Sequence, residues 1–79
     1  MADNDQIHKK FLEDQLRWCK ERNYILEEIE IRLYEMKSIV EYAAKQELSS
    51  AEIESLNGQL NELKNEVFVL EKQLLTVVH

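Results

Sequence analysis

The chain has 79 residues, one cysteine, one glycine, no proline and a net charge of −6. A single cysteine excludes an internal disulfide, and a core this small supplies only about 3–5 kcal/mol of net stability unless oligomerisation adds to it. The scarcity of turn residues excludes a β-protein, and the acidic charge argues against nucleic acid as a partner. We therefore expect one all-α domain over residues 1–79.

The first predicted element is a helix over about residues 5–46, with N-cap candidates at Asp3, Asn4 and Asp5. Its main stripe repeats at alternating gaps of three and four residues, which is typical of a coiled coil. In this stripe Cys19 reads as a small core residue. The members are Leu12, Gln15, Cys19, Arg22, Leu26, Ile29, Leu33, Met36, Val40 and Ala43.

A turn is predicted at about residues 47–49. Ser49 and Glu52 have the S-x-x-E spacing of a capping box, and Leu48 and Ile53 have the spacing of a hydrophobic staple. No glycine or asparagine follows the first helix, although many helices end with one. The four residues predict that the chain turns back here and does not continue as one rod.

The second predicted helix covers about residues 50–78 and carries the most regular pattern in the chain. Its apolar residues share one narrow face. They are Ile53, Leu56, Leu60, Leu63, Val67, Leu70, Leu74 and Val77. Because a short connection favours antiparallel neighbours, we expect the two stripes to pack together as a long, coiled-coil-like helical hairpin.

The two predicted helices differ in length, at roughly 63 Å and roughly 43 Å. Val77 should therefore lie level with about Trp18 to Lys20, which leaves the start of the first helix uncovered. Large apolar side chains there cost about 1.5–3 kcal/mol each when they stay in water. We expect a second copy to cover them in a homodimeric four-helix bundle. The expected interface residues in this region are Phe11, Leu12, Leu16 and Trp18.

A second apolar face lies on the first helix, roughly 80–160° from the main stripe. Its members are Tyr24, Ile31, Tyr34 and Tyr42. A helix with two apolar faces contacts two neighbours, so this face either belongs to the dimer core or docks a different protein, a role that suits tyrosine. Phe68 on the second helix presents the same two alternatives.

No set of residues indicates catalysis, a cofactor or a metal site. His8 and His79 have no cysteine or histidine at metal-ligand spacing. Adjacent acids such as Glu27 and Glu28 diverge around a helix, and two helices alone form no dry pocket. We expect no enzymatic activity and no small-molecule substrate.

The sequence also predicts a cytoplasmic protein without membrane insertion. Its longest apolar run, Val67 to Leu70, is far too short to span a bilayer. The first residues do not have the pattern of a signal peptide. A lone cysteine fits a reducing compartment.

The segment from Leu48 to Leu63 resembles the second helix of the small aspartyl-phosphate phosphatases of sporulating bacteria, which are helical hairpins of similar length. The family signature S-Q-E-L-D corresponds here to Asn57-Gly58-Gln59-Leu60-Asn61, so only the leucine is kept and the acidic residue is an amide. The resemblance covers about a fifth of the chain. It implies a hairpin that docks on a response-regulator-type partner and lacks the phosphatase group.

These features favour a non-enzymatic interaction module, a dimeric helical hairpin that docks on a larger protein and modulates it. The acidic surface favours a partner patch that contains Lys or Arg. A self-assembling structural scaffold is the alternative. A degenerate phosphatase-like hairpin that acts on a response-regulator-type partner is a further one.

Overall fold

The computed structural model describes the backbone of residues 2–77 and the side chains of residues 4–77. This part of the chain consists of two helices, α1 (Ala2–Lys45) and α2 (Ser50–Val77), and contains no strand. The helices pack along each other, and the molecule measures 71 × 18 × 10 Å. The predicted all-α helical hairpin is confirmed. The expected end of the second helix at residue 78, and His79, lie outside the described residues.

α1 begins at Ala2, earlier than the expected residue 5. The N-cap candidates Asp3, Asn4 and Asp5 therefore lie inside the helix and do not precede it. Neither proline nor glycine interrupts these positions. A negative charge in the first turns, such as that of Asp5, also interacts favourably with the helix dipole.

The turn between the helices is closed by Ser49, as the sequence predicts. The Glu52 amide donates to Ser49 Oγ at 3.2 Å, and the Ile53 amide donates to the Ser49 carbonyl at 3.0 Å. The Glu52 carboxylate accepts from the Ser49 hydroxyl at 3.0 Å. The N-cap satisfies amides that α2 itself cannot pair. Of the expected staple, only Leu48 is shielded, since Ile53 stays exposed.

α2 packs on α1 through the predicted stripe. Every member of that stripe after Ile53 is half-buried, which confirms the prediction for most of its length. The shielded residues are Leu56, Leu60, Leu63, Val67, Leu70, Leu74 and Val77.

α1 meets α2 with a face that is rotated from the predicted one. The shielded residues are Ile25, Ile29, Arg32, Met36, Ile39 and Ala43. This set shares Ile29, Met36 and Ala43 with the predicted stripe. The prediction is wrong for Leu26, Leu33 and Val40, which are exposed. Each of these three directly follows a residue that faces α2, namely Ile25, Arg32 or Ile39. Both rows of residues repeat every seven positions, so the spacing alone could not show which row contacts α2.

α2 ends well before the start of α1. Thr76 and Val77 line a cleft together with Lys20 and Glu21, so the helices run antiparallel and α2 ends near this level. The preceding part of α1, residues 2–20, has no helix of the same chain beside it. We call this segment the overhang.

Candidate interaction surfaces

The hairpin exposes more surface than its mass requires. A compact monomer of 9.4 kDa has an accessible surface of about 5,000 Å², whereas this chain exposes 6790 Å². Within residues 4–77, Ile25 is the one buried residue, and 7% of its surface is still exposed. The remaining large apolar side chains therefore form surfaces that other molecules can contact.

One such surface runs along α1 directly beside the contact with α2. Its residues repeat every seven positions and are all exposed, with Leu26 at 44% and Val40 at 55%. We call this surface the leucine stripe, and it consists of Leu12, Cys19, Leu26, Leu33 and Val40. At 100° per residue it lies roughly 80° from the centre of the face that contacts α2. Sequence reasoning placed Leu26, Leu33 and Val40 against α2 and so did not recognise them as a free surface, whereas it assigned Leu12 to the dimer interface.

Phe68 continues the leucine stripe onto α2. Leu33 and Phe68 line the same cleft of about 460 Å³, and the other residues along it are Met36, Lys64, Asn65, Val67 and Glu71. Phe68 is 56% exposed, and the ammonium of Lys72 lies 4.5 Å from the centre of its ring. The apolar surface on this side of the hairpin therefore spans both helices.

The second predicted face lies on the opposite flank of α1. Tyr24, Ile31, Tyr34 and Tyr42 are all exposed, and we call this set the tyrosine face. Ile31 and Tyr34 line an open cleft of about 650 Å³. Tyr34 also lines a second cleft that reaches α2 at Leu63. By the same helical angles, Tyr24 and Ile31 lie roughly 100–120° from the contact with α2, on the side away from the leucine stripe.

Acidic residues accompany the tyrosine face. Glu27, Glu30 and Glu35 line the same cleft as Ile31 and Tyr34. A further row repeats every seven residues on this flank, and its members are Asp14, Glu21, Glu28 and Glu35. We call this row the acidic flank. The two sides of α1 thus differ in chemistry, since the leucine stripe contains no charged residue.

Arg32 lies between the acidic flank and α2. It pairs with the Glu28 carboxylate, donates to the Glu28 carbonyl at 3.2 Å, and holds Nε 3.4 Å from Glu66 Oε2. Its Nε–H is shielded but has no partner with hydrogen-bond geometry. The hydrogen bond to Glu28 is the largest of the effects that raise the pKa of Arg32. A raised arginine pKa keeps the guanidinium charged at every pH below the ordinary arginine value.

The overhang carries the remaining predicted interface residues, and all of them are exposed. They are Phe11, Leu12, Leu16 and Trp18. Phe11 and Trp18 lie fourteen and seven residues before Ile25, respectively, so they extend the contact face of α1 past the end of α2. Cys19 is also exposed, so within a single hairpin it is not the core residue that the sequence predicted. α2 ends before it, and the contact face of α1 does not include it.

The clefts named above in the described part of the chain lie along the surface of the two helices. Across that part, no three His, Cys, Asp or Glu residues are grouped closely enough to hold a metal ion. Neither described helix is long and apolar enough to cross a membrane.

Taken together, the fold and its surfaces define an antiparallel helical hairpin with two exposed apolar faces on one long helix. Comparisons with protein-family models, curated proteins and solved structures found no match to this chain. The resemblance of residues 48–63 to aspartyl-phosphate phosphatases therefore rests on those residues alone.

Proposed function

We propose that this chain is a non-enzymatic protein–protein interaction module. In this proposal it pairs with a second copy in a four-helix bundle, and it docks on and modulates a larger partner protein. The observation that supports the proposal is the presence of two exposed apolar faces on opposite flanks of α1. One neighbouring helix cannot cover both, so the hairpin has room for two different contacts.

The tyrosine face is the surface that we assign to the larger partner. Tyr24 and Tyr34 each present a large apolar ring with a polar tip, which is the type of side chain that contributes most to protein interfaces. The neighbouring carboxylates of Glu27, Glu30 and Glu35 favour a partner segment that carries Lys or Arg. Docking would place an apolar helix face of the partner along Ile31 and Tyr34.

We assign the module to the cytoplasm. Cys19 is an exposed thiol and has no second cysteine to pair with in its own chain. A reducing compartment keeps such a thiol free.

Affinity capture from native lysate tests the proposal. The bait is the wild-type chain, and the test variant carries Ile31→Ala and Tyr34→Ala. The matched control is Asn23→Ala, since Asn23 is exposed on α1 and lines none of the clefts. We expect a protein that wild type and control retain in stoichiometric amount and that the double variant loses. A set of captured proteins that is the same for all three baits would contradict the assignment of this face.

The overhang supports a second candidate function, a self-assembling scaffold. Phe11 and Trp18 continue the contact face of α1 without a helix beside them, so another hairpin could pack there and leave its own overhang free. Such an assembly grows with concentration, whereas a closed dimer does not. Sedimentation velocity over a hundredfold concentration range separates the two functions.

A further inference from the structure

We infer that the leucine stripe is the surface that contacts the second copy, and that the two α1 helices pair antiparallel about a two-fold axis at Leu26. This inference rests on the proposed dimer and adds its face, its direction and its register.

The charges of α1 select the face. A second copy brings the same surface to a two-fold interface. Within each chain Asp14 pairs with Arg17 and Glu28 with Arg32, so pairing through the acidic flank would leave Glu21 and Glu35 facing like charges. Like charges that face each other across an interface disfavour association. The five residues of the leucine stripe carry no charge. Phe68 extends the apolar surface across the groove between the helices, where Lys64 and Glu71, of opposite charge, also line the cleft.

The exposed area fits an interface of this kind. The surface of the hairpin exceeds that of a compact monomer of the same mass by about 1,800 Å². A stable interface needs only about 800 Å² from each partner. The excess reflects the elongated shape of the whole hairpin, and the exposed leucine stripe and Phe68 are part of that surface.

The spacing of the stripe is symmetric about its central member. Leu12 and Val40 both lie fourteen residues from Leu26, and Cys19 and Leu33 both lie seven residues from it. In an antiparallel pair centred on Leu26, each residue of the stripe therefore meets another residue of the stripe. Leu26 meets its own copy, Cys19 meets Leu33, and Leu12 meets Val40.

The same register covers the overhang. With the axis at Leu26, Ala2 of one copy comes level with Ser50 of the other, where the turn ends and α2 begins. Each overhang then lies along the two-helix part of the other copy, and the ends of the assembly are flush. The dimer is consequently no longer than one hairpin, which measures 71 Å. A parallel pair would instead leave two overhangs side by side with no α2 on either.

The distance between the two copies of Cys19 differs between an antiparallel and a parallel pair of α1 helices. In the antiparallel pair the two Cys19 residues are separated by about 21 Å along the axis, at 1.5 Å per residue. A disulfide needs Cα atoms within about 7 Å, so oxidation cannot join them. In a parallel pair they are level with each other and can be oxidised to a disulfide.

Disulfide trapping tests the inference in the full chain with oxidised glutathione as the oxidant. We expect the double variant Cys19→Ser, Leu26→Cys to form a covalent dimer, and wild type to form none. The matched control Cys19→Ser, Tyr34→Cys places its cysteine on the tyrosine face and should also form none. All variants change residues that are exposed in the hairpin, and circular dichroism at each step verifies that they remain helical.

A second pair of variants keeps the test valid if Leu26→Cys weakens association. With Cys19 retained, Leu33→Cys should form a covalent dimer, because Cys19 of one copy meets position 33 of the other. The variant Cys19→Ser, Leu33→Cys should not. Three results would overturn the antiparallel register. They are a covalent dimer of the variant Cys19→Ser, Leu33→Cys, no covalent dimer of Leu33→Cys with Cys19 retained, and a disulfide dimer of the wild type.

Light scattering on the same unoxidised samples separates this inference from the proposed dimer. A monomeric mass for wild type would overturn both. A dimeric mass together with trapping through the tyrosine-face control would keep the dimer and overturn the leucine stripe as its interface.

Discussion

Arg32 on α1 and Glu66 on α2 form an ion pair between the two helices, with 3.4 Å between Nε and Oε2. Arg32 occupies a position that faces α2, and the next residue, Leu33, consequently points away from it. Because α1 is rotated in this way, the leucine stripe is not covered by α2. The helix orientation that lets Arg32 reach Glu66 is thus the one that leaves three apolar residues exposed. They are Leu26, Leu33 and Val40.

The first prediction concerns this ion pair. Arg32→Ala and Glu66→Ala should each lower the melting temperature, and the double variant should lose less than the two single losses together. The favourable coupling should shrink as salt is raised from 0.1 M to 1 M, because the screening length falls from about 10 Å to about 3 Å. Coupling is measured by a double-mutant cycle at fixed protein concentration. Additive losses at low salt would show that the pair does not join the helices.

The second prediction concerns the N-cap of α2. Ser49→Ala removes the acceptor of the Glu52 amide and should lower the free energy of unfolding by about 1 kcal/mol. Ser50→Ala is the matched control, since this serine is also exposed and lies one residue further into the helix. Urea unfolding of both variants decides the point. Equal losses would mean that Ser49 does not act as the cap.

The third prediction concerns Gly58, which lies inside α2. A methyl group at this position would meet no atom within 4 Å. Gly58→Ala should therefore raise the free energy of unfolding by about 0.5–1 kcal/mol through helix propensity alone. Ser55→Gly, one turn earlier in the same helix, should lower it. A destabilised Gly58→Ala variant would indicate that another molecule packs closely against this position.

The sequence predicted the contact face of a helix correctly when that helix has one apolar stripe, and less well when it has two. α2 has one continuous apolar stripe, and the structure uses nearly all of it. α1 has two adjacent rows of residues, each with a seven-residue repeat. One row contains Ile25 and the other contains Leu26, and both rows are apolar enough to be buried. The choice between them depends on contacts across the helix pair, including that of Arg32, and such contacts are not visible in the spacing.

The interaction surfaces were harder to predict than the fold. The exposed aromatic residues could be identified because they lie off the regular stripe, as Tyr34 and Phe68 do. The leucine stripe could not, since its members look like core residues until α2 is seen to pack elsewhere.

The fourth prediction concerns Phe68 in the proposed dimer. Phe68→Glu places a charge in the apolar groove beside Leu33 and should raise the dimer dissociation constant about 30-fold or more, as expected for loss of a buried aromatic anchor. Val69→Glu is the matched control. Val69 is equally exposed but lines a different cleft, beside Arg32. Sedimentation equilibrium gives both constants, and an unchanged constant for Phe68→Glu would remove Phe68 from the interface.

The most direct test of the interaction-module account is the mass of the wild-type chain in solution. Size-exclusion chromatography with light scattering should give twice the chain mass of 9.4 kDa, and this value should stay constant from low to high micromolar concentration. A mass of one chain throughout that range would contradict the account, because the leucine stripe would then remain in water with no second copy to cover it.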